Sequence, residues 1–473
     1  MSTFIGREAE IKEFDRFYNS GKPEFIAVYG RRRVGKTFLI NSLYEQEYSF
    51  YTTGIIEGTK NDELAAFHTS LKRYGFTGRK ARTWMSAFEN LRILLESKIQ
   101  TGKRMIVFID ELPCLATPKS GLVKALDFFW NSWGSHHNEL MLIVCGSATS
   151  WIIRNIIDNK GGLHNRITHE KHLFPFTLGE TRQYLVESGF HWPDLTILQT
   201  YMTFGGIPYY LGLLDKNLSL TENIDALFFE GDRPLTKEYN RLYKSIFKES
   251  DKYKAVIKAL AGTKKGFTCK ELAELLKVEN NGHFGDILED LVNCDFIRKY
   301  NTIGKKVRTN NFIFQLTDFY SIFYHTFAAK KISDSHYWDH TINTPTQNNW
   351  FGLAFERVAM AHIPQILEAL HLDRILTQYC SWRSTMADPG AQIDLVISRA
   401  DNIINLCEIK YSAGDYTLTK SEAMKITNRM EQFQRETSSK KGIHITLITT
   451  NGLSKNMWSD TVNSVVTLDD LFR

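Results

Sequence analysis

The chain has 473 residues, 43% of them hydrophobic and 23% charged, with a formal net charge of +5. Those proportions are ordinary for folded protein and exclude wholesale disorder, and the length suits about three domains. The mild positive balance permits a nucleic-acid partner without arguing for one, so any basic surface has to be local.

The start, MSTFIGREAEIKEF, is charged and lacks the apolar core of a signal peptide. No run of about 18 apolar residues predicts a membrane helix. Four short apolar runs follow, Phe25–Tyr29, Ser49–Thr53, Met105–Ile109 and Met141–Cys145, with a fifth strand expected near Glu170–Phe174. Helical patterns separate them, which predicts a parallel α/β sheet over 1–176. Residues 177–250 read as a helical lid, opened by a capping box from Thr177 to Glu180 and interrupted at Gly205, Gly206 and Pro208. Residues 251–330 read as three helices and two β segments, a winged helix-turn-helix. Polar residues 331–350 read as a linker, and 351–473 as a second, smaller α/β domain. The six cysteines form no CxxC, and several sit in apolar runs. A zinc site or disulfide framework is therefore not expected, and a cytoplasmic location is.

The sharpest motif is Gly30-Arg-Arg-Arg-Val-Gly35-Lys36-Thr37, which fits G-x-x-x-x-G-K-[ST] between a strand and a helix. Backbone N–H groups there can curl around phosphate oxygens. Lys36 can reach the β- and γ-phosphates, and Thr37 can ligate Mg²⁺. ATP and Mg²⁺ are therefore the expected cofactors, with Phe38 at the edge of the site. Asp110, ending the Met105–Ile109 strand, is the expected Mg²⁺ partner, and Glu111 the residue that orients or deprotonates water. Ser147 is either a γ-phosphate sensor or a plain small-residue strand end. Arg166, with Arg154 as rival, is either an arginine finger reaching a neighbouring protomer or a solvated loop residue. Arg31, Arg32 and Arg33 either touch phosphate or a neighbour, or are simply exposed.

These residues, with FIGRE at Phe4–Glu8, IDE at Ile109–Glu111 and GGIP at Gly205–Pro208, resemble the archaeal-type P-loop ATPases related to the STAND and AAA+ groups. The resemblance covers about 2–330. It implies that Gly6, Arg7 and Glu8 help enclose the nucleotide base. It also implies that Gly206–Pro208 links nucleotide state to domain position.

The proposed wing holds Arg298, Lys299, Lys305, Lys306 and Arg308 with no acid between Phe296 and Thr309, suited to a phosphate backbone. Its candidate recognition helix carries Asp286, Glu289 and Asp290, which would repel one. DNA contact and a docking role both stay open. In the last domain, Asp394 and the Glu408-Ile-Lys410 triplet interrupt apolar strand patterns, where a buried lone acid would be costly. Paired strands would let Asp394 and Glu408 share a divalent ion beside Lys410, with Glu356 as a further ligand. Solvated strand-edge charges are the alternative. The D-x13-E-x-K layout resembles the PD-(D/E)xK restriction-endonuclease-like superfamily over about 350–449, which implies DNA cleavage or a degenerate, non-cleaving version. DNA is thus the expected partner, beside ATP and a possible homo-oligomer.

Overall fold

A computed structural model describes residues 5–100, 102–158, 165–263, 266–300, 312–330, 332–384 and 391–473. Phe4, Lys305, Lys306 and Arg308 therefore lie outside the described residues.

The first sheet holds β1 (Glu24–Tyr29), β2 (Tyr48–Thr53), β3 (Met105–Asp110), β4 (Leu140–Gly146) and β5 (His169–His172). All pairings are parallel, in the order β2-β3-β4-β1-β5. The middle strands are buried on both faces, so their near-continuous apolar runs are what a helix-covered parallel sheet needs. β4, a late strand in the chain, lies between β1 and β3. That order brings the ends of three strands together at one edge.

A set of helices follows from Leu178 to Ile246. Thr177 opens it with the expected capping box, its hydroxyl accepting from the Glu180 N–H. Gly206 sits so close to the preceding segment that a Cβ there would lie 1.9 Å from the Phe176 carbonyl oxygen. Only glycine allows that approach, and Pro208 then begins the next short helix.

Helices Ser250–Ala261, Cys269–Leu276 and Gly282–Asn293 surround a small antiparallel sheet of β6 (Phe267–Thr268), β7 (Ile297–Tyr300) and β8 (Ile313–Leu316). β6 is a strand the apolar pattern does not signal, because it is two residues long.

Residues 332–350 are packed rather than a free linker. Trp338 and Trp350 are buried against Phe323 and Phe327. The Asp225 carboxylate accepts from the Trp338 and Asp339 N–H groups. Helix Pro345–Ala361 begins inside the segment, capped by Thr344. Its polar residues serve caps and turns, so polarity there does not mean exposure.

The last sheet runs β13-β12-β11-β10-β9, from β9 (Thr377–Arg383), β10 (Gln392–Arg399), β11 (Ile403–Lys410), β12 (Gly442–Thr449) and β13 (Ser464–Val466). Helix Pro345–Ala361 covers one face, and helix Lys420–Thr437 the other. One continuous core joins this sheet to the first. Tyr411 accepts from Gln199 at 2.9 Å, and Arg182 lies over the Phe472 ring. His362 Nε2 accepts from the Leu178 N–H at 2.9 Å.

Candidate functional site

The site grows from the ends of β1, β3 and β4. Gly30 has φ 137, and a Cβ there would meet the Leu173 carbonyl oxygen at 2.3 Å, so the turn out of β1 requires glycine. Arg33 holds φ 77, a left-handed conformation that a side chain rarely adopts, in the middle of the loop. Helix Lys36–Tyr44 then starts, pointing its first turn at the loop.

Lys36 is 5% exposed, and its ammonium donates to the Gly30 and Arg31 carbonyls at 2.7 and 2.8 Å. A buried cation served by loop carbonyls fits an incoming phosphate. The Thr37 hydroxyl donates to Asp110 Oδ2 at 2.8 Å. Hydroxyl and carboxylate oxygens so close together suit the oxygen shell of Mg²⁺. Burial, and then the Glu111 charge, push the Asp110 carboxyl above its usual range, while the Thr37 hydroxyl pulls it down. Glu111 is held at φ 45. Its carboxylate accepts from the Ser147 N–H at 3.1 Å and the Ser147 hydroxyl at 2.6 Å. Ser147, at the end of β4, thus faces the candidate base.

Arg31 and Arg33 point to partners outside the loop. Arg31 is 2% exposed, pairs with Asp318 and lies over the Phe296 ring. Arg33 makes a two-bonded pair with Glu238 at 3.1 and 3.2 Å and lies over Tyr209. Both are inside contacts to later modules, so neither is a simply exposed residue. Arg32 is partly exposed and Phe38 half exposed. Val34 is buried, and its carbonyl accepts from Arg7. Gly6 and Arg7 both have positive φ. Arg7 also bonds the Phe174 carbonyl and lies over Phe176. Its side chain therefore braces the loop against the exit from β5. Pro208 opens the short helix Pro208–Leu211, whose Tyr209 lies under Arg33 of the loop. Asp318, Glu238 and Tyr209 carry no sequence motif; only the fold brings them to the loop.

Arg166 is exposed just before β5. Arg154 bonds Asp290 at 2.7 Å and lies 3.7 Å from Asp286. Two of the three acids of helix Gly282–Asn293 are thus paired within the chain, while Asp286 stays largely exposed. Asp290 is spent on Arg154 and Tyr253, and Glu289 on Lys299. The helix packs on the Thr149–Ile152 turn of the first domain. Arg298 bonds Gln315.

In the last domain β10 and β11 pair antiparallel, Leu395 opposite Cys407, and Lys410 does lie with Glu408 at 2.8 Å. The expected two-carboxylate site is not assembled. A bulge between Ile393 and Val396 re-aims the strand, so both those residues join the core under helix Lys420–Thr437. Asp394 instead lines a crevice with Glu356 and Arg357 of helix Pro345–Ala361 and with Arg298 and Tyr300 of β7, accepting from Gln392 at 2.7 Å. Glu408 lines a different crevice on the other face, where Lys410 and Arg429 take one oxygen each at 2.8 and 2.9 Å. Arg429 sits in a helical pattern with no motif, so the sequence does not single it out. Among the described residues no group of three His, Cys, Asp or Glu side chains is placed to hold a metal. No described helix is long and apolar enough to cross a membrane.

Residues 4–214 match the profile of a family described as an ATPase domain predominantly from Archaea. An uncharacterized protein of Methanocaldococcus jannaschii is 26% identical over 398 residues, covering 83% of this chain and 84% of that protein. Among solved structures, a Walker-type ATPase of Pyrococcus abyssi is similar at a TM-score of 0.46 and 17% identity, covering 67% of this chain and 95% of that one. The ORC2 protein of Aeropyrum pernix, solved as ADPNP and ADP complexes, is similar at 0.41 and 12%, covering 76% and 97%. Residues 4–214 thus resemble an archaeal-type ATPase domain, and the family match supports ATP binding or hydrolysis.

Proposed function

We propose that the protein is an ATP-dependent switch whose nucleotide state sets the disposition of its C-terminal domain toward DNA. Lys36 and the loop N–H groups would hold the phosphates. Thr37 and Asp110 would hold Mg²⁺, which neutralises charge on the transferred phosphoryl group. Glu111 would orient the attacking water. Arg166, exposed near the sheet edge, is the candidate to complete a neighbour's site.

The observation that selects a switch over a nuclease is Glu408. Both its oxygens are occupied by Lys410 and Arg429, while Asp394 lies in another crevice. Two cations already balance the Glu408 charge, and among the described residues lining its crevice no second carboxylate stands beside it to share a divalent ion. A second reading, Mg²⁺-dependent cleavage after rearrangement, is favoured by Asp394 and Glu356 sharing one crevice. The two readings separate in one experiment. ATP turnover and DNA integrity are followed with Mg²⁺, with and without DNA, for the wild type, Lys36→Ala and Asp394→Asn. DNA-stimulated turnover lost in Lys36→Ala, with DNA left intact, supports the switch. Nicking abolished by Asp394→Asn supports cleavage.

A further inference from the structure

We propose that Asp318, over a hundred residues beyond the matched ATPase domain, is a positioning residue of the nucleotide site. It holds the phosphate loop through Arg31. The inference rests on the reading of that loop as an ATP site and names how its occupancy is felt elsewhere.

Arg31 belongs to the cradle through its backbone, since its carbonyl takes the Lys36 ammonium at 2.8 Å. Its side chain leaves in another direction, to Asp318. The pair is shut away from water, at 2% and 1% side-chain exposure. Arg31 Nε and Nη2 are buried with no hydrogen-bond partner. Among the described residues, Asp318 is therefore the charged anchor of a guanidinium that lies over the Phe296 ring near Tyr210 and Tyr243. A buried charge so poorly served depends strongly on its one partner.

Asp318 divides its two oxygens. Oδ1 faces Arg31, and Oδ2 accepts from the Ser321 N–H at 3.1 Å, capping helix Phe319–Phe323. That helix packs on the lid, with Phe319 against Tyr201 and Ser321 against the Tyr243 hydroxyl. The chain then runs into the Trp338 and Trp350 cluster and on to the C-terminal sheet. One carboxylate thus joins the phosphate loop to the start of the path toward the last domain.

A second tie runs in parallel. Arg33, two residues on, reaches Glu238 and Tyr209 of the lid. The Lys36 ammonium has three donors and gives two of them to the Gly30 and Arg31 carbonyls, so a phosphate that draws on the third pulls on this loop backbone. The backbone that carries Arg31 and Arg33 adjusts with it, and both side chains pass the change outward. Coupling of this kind is reciprocal: docking that pre-shapes the loop raises nucleotide affinity, and nucleotide in turn favours one docking.

The test is a double-mutant cycle on the full chain with Arg31→Gln, Asp318→Asn and both, read by binding of a fluorescent ATP analogue, by KM and kcat, and by proteolysis with and without ATP. Asp318→Asn is expected to weaken binding on the order of tenfold, with the loss falling on KM more than on kcat. The double variant is expected to be no worse than the single ones, and ATP should no longer change the cleavage pattern. A substitution that merely loosened the fold would add to the Arg31 effect instead, and that additivity overturns the proposal. So does wild-type affinity in a folded Asp318→Asn variant. Should that variant fail to fold, Arg31→Gln, which leaves Asp318 its cap on the Ser321 N–H, reports on the same tie with the same readouts, and unchanged affinity and ATP-dependent proteolysis there overturn it. Absence of ATP binding by the wild type itself removes the nucleotide reading and this proposal with it, whereas binding that ignores Asp318 removes the proposal alone.

Discussion

Ser147 gives Glu111 two hydrogen bonds, from its backbone N–H and its hydroxyl, across the gap between the ends of β4 and β3. The backbone bond survives any side-chain change, but the hydroxyl bond does not. Ser147→Ala is therefore expected to lower kcat for ATP about tenfold while leaving ATP affinity alone, because the candidate base keeps its place but loses its aim. Glu111→Gln should cost more, on the order of 10²–10⁴ in kcat. Steady-state ATPase assays beside analogue titrations check both. A Ser147→Ala defect confined to affinity would rule out the positioning role.

Among the described residues Lys36 bonds two loop carbonyls and forms no ion pair, so its replacement should remove the proposed phosphate contact without breaking one. Lys36→Ala should keep its melting temperature in the absence of nucleotide. It should lose the upward shift that ATP with Mg²⁺ produces in the wild type. Chelating Mg²⁺ should reduce the wild-type shift if Thr37 and Asp110 hold the cation as proposed. Thermal melts with and without EDTA measure this. An equal ATP shift in the variant would contradict the assignment.

His362 fastens the C-terminal domain to the lid. Nε2 accepts from the Leu178 N–H, and Nδ1–H donates to the Val358 carbonyl, so the ring must be neutral. Burial lowers its pKa to about 4, and burial also lowers His325 to about 4. In the unfolded chain both titrate near 6.5. Their contribution is complete above about pH 6.5 and is lost as pH falls through about 4, since the unfolded state then binds more protons. Stability should fall over that window, by on the order of 1–3 kcal/mol per ring. Urea melts from pH 7 to 4 should show a shallower fall in His362→Gln than in the wild type.

Lys410 is about a third exposed, and its pair with Glu408 is solvent-screened. Lys410→Ala should cost no more than about 1 kcal/mol. Under the switch reading it should leave DNA uncut, as the wild type does. Cutting by the wild type that Lys410→Ala abolishes would restore the nuclease assignment.

Gly206 shows a tighter constraint. A methyl group there meets the Phe176 carbonyl, a backbone atom that cannot swing away. Gly206→Ala should destabilise by about 1–3 kcal/mol or more. Chemical denaturation gives the number, and a neutral result would mean the turn repacks.

Much of this protein was legible along the chain. Apolar runs at Phe25–Tyr29, Met105–Ile109 and Met141–Cys145 are strands because a parallel sheet needs both faces apolar. Thr177 and Thr268 cap helices because a hydroxyl and a glutamate three residues on satisfy each other's backbone. The Gly30–Thr37 loop is likewise local. Such features depend on neighbours a few positions away, and the sequence states those neighbours. The partners of Arg31, Arg33 and Arg154 are Asp318, Glu238 and Asp290, all more than a hundred residues distant. Any exposed acid would have matched them equally well on paper. The bulge that parts Asp394 from Glu408 is one extra residue in a strand whose alternation otherwise reads as regular. Which charge meets which, and which face a strand residue takes, follow from packing the whole chain into one core, and only the tertiary structure decides that.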